Sequence, residues 1–304
     1  MRDNILKEFD MKFLKFFLIF IILSSCSKIS FGEKPKKYDE NIAYTQGKEF
    51  FGKNKLELRY LYVEGKDKRH LIFYLHGFNR TEEEWAEKNG FGSKYYAVLK
   101  NNPDLPEYSV VAISLSNAFM FLEDAPKPYS DDLETLMIKE IVPYFKTKLD
   151  VKGEKTFLIG HSLGGYNALS LSMRNPDIFP VVCCISPYTA PFSPWDDDFE
   201  ETGKKLKMSR NQIFILKTML SNAFGSKEKW NEYNPFYLLE NKDKFPFIVM
   251  SSATEDLPGF NWSVNLFAQK LTEKGVPNIS CETEGDHWTT CQDIFTNFLK
   301  KIAE

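Results

Sequence analysis

From about residue 55 onward the chain alternates short apolar runs with longer segments of helical spacing. Leu56–Glu64 alternates, with Leu56, Leu58, Tyr60 and Tyr62 on one face, which predicts a strand half exposed to water. His70–Leu75, Tyr108–Leu115, Thr156–His161, Phe179–Ile185 and Phe245–Ser252 are near-continuous apolar runs, and Asn278–Glu284 is a last strand. Between them Asp131–Leu149 carries Leu133, Leu136, Met137, Ile141 and Phe145 on one helical face, with Ser130 and Asp131 as N-caps. Further helices are expected from about Gly165 to Arg174, over Trp262–Gly275 and over Asp293–Ile302. Apolar strands alternating with amphipathic helices predict an α/β fold, its mostly parallel central sheet flanked by helices.

One segment breaks the rhythm. Residues 187–244 separate two core strands by far more than an ordinary connection. They hold a helical pattern, Ile213, Leu216, Leu220 and Phe224, closed by Gly225, and the aromatic residues Trp195, Trp230 and Phe236. A cap-like insertion over a site and a peripheral decoration both fit this pattern.

Residues 1–26 read as a targeting segment. Lys12 and Lys15 precede the unbroken apolar run Phe16–Leu23, which is too short for a bilayer span of roughly 20 residues but suits the h-region of a signal peptide. A start at Met11 rather than Met1 would suit such a signal. Leu23-Ser24-Ser25-Cys26 resembles a bacterial lipobox, which implies lipid on Cys26, export and a membrane anchor. Residues 27–54, rich in Lys, Gly, Glu and Asn, are expected to form a tether, with the globular domain spanning residues 55–304.

Composition narrows the function. With 43% hydrophobic residues and 27 Phe the chain can fill a sizeable core. Its net charge of −3 gives no basis for nucleic-acid binding. The usual metal-ligand spacings are absent from the sequence, and the chemistry suggested below calls for no metal and no cofactor.

That chemistry centres on Gly160-His161-Ser162-Leu163-Gly164. The motif follows an apolar strand and precedes a helix, the context of a nucleophile elbow. The glycines remove side chains that would collide across the sharp turn, and the helix N-terminus favours developing negative charge. A serine nucleophile needs a base. Of the 4 histidines, His161 sits on the elbow itself, His76 ends a strand and His70 follows a charged turn. His287, between the last strand and the last helix, remains. The carboxylate orienting it should follow a core strand between Ser162 and His287, which points to Asp256, with Glu255 as the alternative. The oxyanion donors are expected to be the N–H groups of Leu163 and, from the strand end Leu75-His76-Gly77-Phe78, of Phe78. His76, Gly77, His161 and Trp288 border these groups and are expected to line the substrate. Cys183 and Cys184 should point to opposite faces of a buried strand. Cys281 and Cys291 flank His287, and both a disulfide and two free thiols remain open.

These motifs resemble the α/β-hydrolase superfamily, in particular the esterase D-like serine esterases. The matching pieces are Leu75-His76-Gly77, Ile141-Val142-Pro143-Tyr144, Gly160–Gly165, Ser186-Pro187, Asp256 and Gly285-Asp286-His287-Trp288, spread over about Leu56 to Leu299. Ala253 departs from the glycine that many relatives place before the acid. The resemblance implies a serine hydrolase cleaving small-molecule or glycan carboxylic esters through a Ser-Asp-His triad and an acyl-enzyme. An acyltransferase on the same triad, or an inactive surface binding lipoprotein, are the alternatives.

Overall fold

The computed structural model describes residues 38–115, 132–291 and 293–304. The expected signal peptide and lipobox with Cys26, and the expected caps Ser130 and Asp131, lie outside the described residues.

Eight strands form one sheet in the order β1-β2-β4-β3-β5-β6-β7-β8. They are β1 (Thr45–Phe51), β2 (Leu56–Val63), β3 (Asp67–Leu75), β4 (Tyr108–Leu115), β5 (Thr156–His161), β6 (Val181–Ile185), β7 (Phe247–Ala253) and β8 (Asn278–Thr283). β1 and β2 run antiparallel, and β4, β3 and β5 to β8 run parallel, as the buried apolar runs require. Alternation divides the strand side chains between two cores. Leu71, Phe73, Leu158, Val182, Cys184 and Met250 join one, while Ile72, Tyr74, Phe157, Ile159, Cys183 and Val249 join the other. Each fully buried Leu, Ile or Phe there contributes about 1.5–3 kcal/mol relative to exposure.

Helix Leu163–Arg174, helix Phe260–Glu273 and the segment Leu133–Lys148 cover the first face, and Phe91–Asn101 and Ile294–Ala303 cover the second. Asp132 caps Leu133–Leu136 by accepting from the Thr135 N–H at 2.8 Å. The segment widens into a π-turn over Met137–Ile141, where the Val142 N–H reaches the Met137 carbonyl. Pro143 comes next and has no N–H to continue the helical ladder.

Two expectations change. The described part of the 27–54 segment is no tether: β1 pairs with β2 from Thr45↔Tyr62 to Phe51↔Leu56 and closes an edge of the sheet. The globular unit therefore begins before residue 55. The insertion at 187–244 folds into four helices, Phe199–Lys205, Arg210–Phe224, Lys227–Tyr233 and Pro235–Asn241, of which the sequence pattern marks only the second. The insertion is tied to helix Leu163–Arg174, whose Tyr166 and Ser170 hydroxyls both donate to the Tyr233 carbonyl, at 3.1 and 2.7 Å. Among the described residues no helix is long and apolar enough to cross a membrane.

Candidate active site

Ser162 stands between β5 and helix Leu163–Arg174, at φ +54° and ψ −116°. Positive φ in a non-glycine residue costs on the order of 1–3 kcal/mol and persists only where the surroundings impose it. Here they do. The Ser162 N–H donates to the Ile185 carbonyl at 2.8 Å, and the Ser162 carbonyl accepts from the Tyr166 N–H at 3.0 Å. A Cβ on Gly160 would lie 2.1 Å from the Gly164 carbonyl oxygen, and one on Gly164 would lie 2.0 Å from that of Leu75. Both contacts are with backbone, so the elbow requires glycine at these positions. Leu163, the first helical residue, has an N–H with no acceptor inside its own helix.

His287 and Asp256 lie on the loops after β8 and β7. The parallel ladder continues past both strands, from the Thr254 N–H to the Thr283 carbonyl and from the Glu255 N–H to the Gly285 carbonyl, each at 2.9 Å. This pairing brings the two loops together. His287 Nδ1 lies 2.5 Å from Asp256 Oδ1, and the Asp256 side chain has no exposed surface. The same oxygen accepts from the Leu257 N–H at 2.6 Å, while Oδ2 is buried and lacks a hydrogen-bond partner among the described residues. Glu255 is exposed and offers this region its N–H. Asp286 is occupied in its own turn, accepting from the Trp288 N–H and the Thr289 hydroxyl at 3.0 and 3.1 Å. Gly285, at φ +133°, has Thr289 where a Cβ would stand. Burial lowers the His287 pKa below the ordinary imidazole value, and the bond to Asp256 opposes this without reversing it. The ring is therefore neutral near pH 7. With Nδ1–H donating to Asp256, the lone pair is at Nε2.

The strand end at His76-Gly77-Phe78 turns back tightly. The Arg80 N–H donates to the Gly77 carbonyl at 3.2 Å, with Asn79 at φ +57°. Three residues expected to line the substrate make hydrogen bonds within the protein. His76 Nδ1–H donates to the Gly77 carbonyl at 2.8 Å, and its Nε2 accepts from Ser114 at 3.1 Å. The Gly77 N–H donates to Glu84 Oε2 at 2.9 Å. His161 is wholly buried, with Nε2 on the His287 carbonyl oxygen at 3.1 Å and Nδ1 on Glu84 Oε1 at 3.3 Å. A Cβ on Gly77 would come within 3.0 Å of His161 Nδ1, so this glycine makes room for the histidine.

Glu84 is the residue that sequence reasoning misses. It lies in the short 3₁₀ turn Glu82–Ala86, and its side chain is 1% exposed. Its two oxygens also receive Tyr74 Oη–H at 2.7 Å and Arg80 Nε–H at 3.2 Å. Burial raises its pKa, but His161, Tyr74 and the Gly77 N–H outweigh burial and hold it at about 2. The run Thr81-Glu82-Glu83-Glu84 reads as solvated. Only the adjoining Trp85, fully buried, marks one side of this turn as internal.

Aromatic residues surround His287. Phe260 meets it edge-on with ring centroids 5.0 Å apart, and Tyr188 of the insertion packs on Phe260 at 5.2 Å. Trp288 is 40% exposed, with one face on His161 and the Arg80 guanidinium 5.1 Å from its ring. Leu257 and Trp262 are also exposed large apolar residues. The four described cysteines are free thiols, and Cys183 and Cys184 face opposite cores as expected. Among the described residues no cluster of three or more His, Cys, Asp or Glu side chains could hold a metal ion.

Residues 53–287 match the Esterase family. Among solved structures, an S-formylglutathione hydrolase from Agrobacterium tumefaciens is similar with a TM-score of 0.62 at 15% identity, covering 86% of this chain and 92% of that one. A second, from Staphylococcus aureus, gives 0.57 at 16% identity, covering 86% and 95%. A ferulic acid esterase from Anaeromyces mucronatus, in complex with ferulic acid, gives 0.55 at 19% identity, covering 89% and 95%. At these identities the structural likeness establishes the fold, and the family match rests on the sequence itself.

Proposed function

We propose, for a chain that belongs to the esterase family and is a carboxylic ester hydrolase, a serine mechanism carried by Ser162, His287 and Asp256. The observation that carries it is the buried 2.5 Å contact between His287 Nδ1 and Asp256 Oδ1, made by loops that adjoin a strained, glycine-bounded Ser162.

In this reading the Ser162 hydroxyl attacks the ester carbonyl carbon while His287 Nε2 takes its proton. The Leu163 and Phe78 N–H groups stabilise the oxyanion. Collapse of the tetrahedral intermediate breaks the bond to the alkoxy oxygen, which leaves as alcohol with the proton returned by His287. Water, deprotonated by the same nitrogen, then cleaves the acyl-enzyme. Asp256 holds the ring in the Nδ1–H tautomer and stabilises the imidazolium. The substrate is a small-molecule or glycan ester. Supporting this, the exposed Trp288 and Trp262 offer stacking surfaces, and neighbours of the same fold are named for formylglutathione and ferulic acid esters.

The test is rapid mixing with p-nitrophenyl acetate. A burst of nitrophenol equal to the enzyme concentration, absent in Ser162→Ala, is expected. Release without any serine dependence would sink the reading.

The protein is further proposed to be exported and held at a bacterial membrane by lipid on Cys26, a reading that rests on Lys12–Cys26. Cells fed an alkynyl fatty acid should yield labelled protein from the wild type and none from Cys26→Ala. Equal labelling of both would overturn the anchor.

A further inference from the structure

Three parts of the site come from separate stretches of chain: the loop after β3 with Phe78, the elbow with Ser162, and the loop with His287. One buried pair touches all three. Glu84 Oε2 receives the Gly77 N–H at 2.9 Å, and Glu84 Oε1 faces His161 Nδ1 at 3.3 Å on the elbow. His161 Nε2 in turn faces the backbone carbonyl of His287 at 3.1 Å. We propose that Glu84 and His161 are positioning residues that hold the oxyanion loop, the elbow and the loop of the base in one arrangement. The proposal rests on the serine reading given above.

The proton count supports a built connection rather than incidental packing. A carbonyl oxygen only accepts, so His161 Nε2 carries a hydrogen. The other ring nitrogen faces a carboxyl oxygen, and a hydrogen bond there needs one more proton between the two atoms. Glu84 Oε1 also receives Arg80 Nε–H, and Oε2 receives Tyr74 Oη–H, so three donors besides the His161 ring converge on one carboxyl group. A group with 1% exposure would not be left charged without them. Both side chains are buried, His161 wholly and Glu84 with 1% exposure. Their action on the reaction is therefore through Gly77 and the His287 carbonyl, and through charge placed beside the base.

The groups that face His161 come from each neighbouring element. Glu84 and, behind it, Arg80 and Tyr74 lie on one side. The Phe91 ring of helix Phe91–Asn101 packs at a tilt with its centroid 4.6 Å away, and His287 and Trp288 lie at ring-centroid distances of 4.9 and 4.8 Å on the other. Of these, His287 is the one whose protonation the reaction uses. After burial and the opposing Asp256 bond, His161 is the next influence on it, and it acts to lower the His287 pKa. Removing His161 should therefore move the acid limb of activity to higher pH.

The experiment uses the full-length protein with active serines counted by a fluorophosphonate, so that every rate is per labelled site. Glu84→Ala and His161→Ala should lower kcat roughly 10–100-fold with KM within about threefold, as expected when transition-state donors are displaced. His161→Gln keeps an N–H for the His287 carbonyl and should recover part of kcat, with its acid limb at higher pH than wild type. Glu84→Gln still accepts from Gly77 and Tyr74 and should lie between wild type and Glu84→Ala. The Gln variants decide the matter if the Ala variants do not fold. Wild-type kcat, KM and pH profile per labelled serine, with only a lower melting temperature, would overturn the proposal in favour of a purely structural role. Ser162→Ala in parallel separates the two failures: hydrolysis surviving there refutes the serine reading itself.

Discussion

His287 Nδ1 and Asp256 Oδ1 meet at 2.5 Å because two neighbouring parallel strands continue their pairing for two residues beyond their ends. The same ladder turns Glu255 outward into water. Asp256→Asn should therefore reduce kcat by roughly 10³–10⁴-fold through the wrong imidazole tautomer, whereas Glu255→Gln should stay within about threefold of wild type. Steady-state kinetics on both variants decide between the two carboxylates that the sequence left open.

The pH dependence follows from burial. The His287 pKa is lowered from the ordinary imidazole value of 6.5, and the base works only as the neutral ring. Activity is thus full above that value and falls as pH drops through the depressed folded pKa, so the acid limb of kcat/KM should lie below pH 6.5. A limb above that value would mean that the titrating base is another group.

Glu84 gives a stability signature of opposite origin. Its folded pKa of about 2 lies below the unfolded value of 4.5, so its contribution is complete above 4.5 and is lost as pH falls toward about 2. Glu84→Ala should cost ~3 kcal/mol at pH 7, because Arg80 and His161 lose their buried partner. The gap to wild type in urea unfolding should narrow only in that acid window.

Glycines at the elbow and in the insertion should respond differently to alanine. On Gly164 a Cβ meets the Leu75 backbone oxygen at 2.0 Å, whereas Gly225 has open space around it and φ +72°. Gly164→Ala should abolish activity and cost more than ~3 kcal/mol or prevent folding. Gly225→Ala should cost about 1 kcal/mol and leave kcat unchanged. Thermal melts and kinetics of the pair test this.

The parallel sheet and the elbow were legible because buried strands read as unbroken apolar runs, and because Gly-x-Ser-x-Gly is a local motif whose geometry lies in adjacent residues. Three things were not. β1 is an edge strand in which only Gly47, Glu49 and Phe51 turn inward, and inward Glu49 is satisfied by the Tyr144 hydroxyl at 2.6 Å, a partner distant in sequence. Three helices of the insertion, Phe199–Lys205, Lys227–Tyr233 and Pro235–Asn241, have only seven residues each, too few to show a periodicity of their own, and depend on tertiary packing. The fourth, Arg210–Phe224, shows in the pattern Ile213, Leu216, Leu220 and Phe224, and the capping box of Ser209 with Gln212 fixes its start. His161, beside the nucleophile, reads as facing substrate, and Glu84 gives no sign of its role, because the burial of both depends on a contact across 77 positions of sequence.

The most direct measurement is labelling of the full-length protein by a fluorophosphonate, with the modified peptide read by mass spectrometry, beside Ser162→Ala and His287→Ala. One adduct per chain on Ser162 in the wild type, none in Ser162→Ala and labelling slowed by several orders of magnitude in His287→Ala are expected. An adduct on another residue, or equal labelling without His287, would contradict the assignment of the nucleophile and its base.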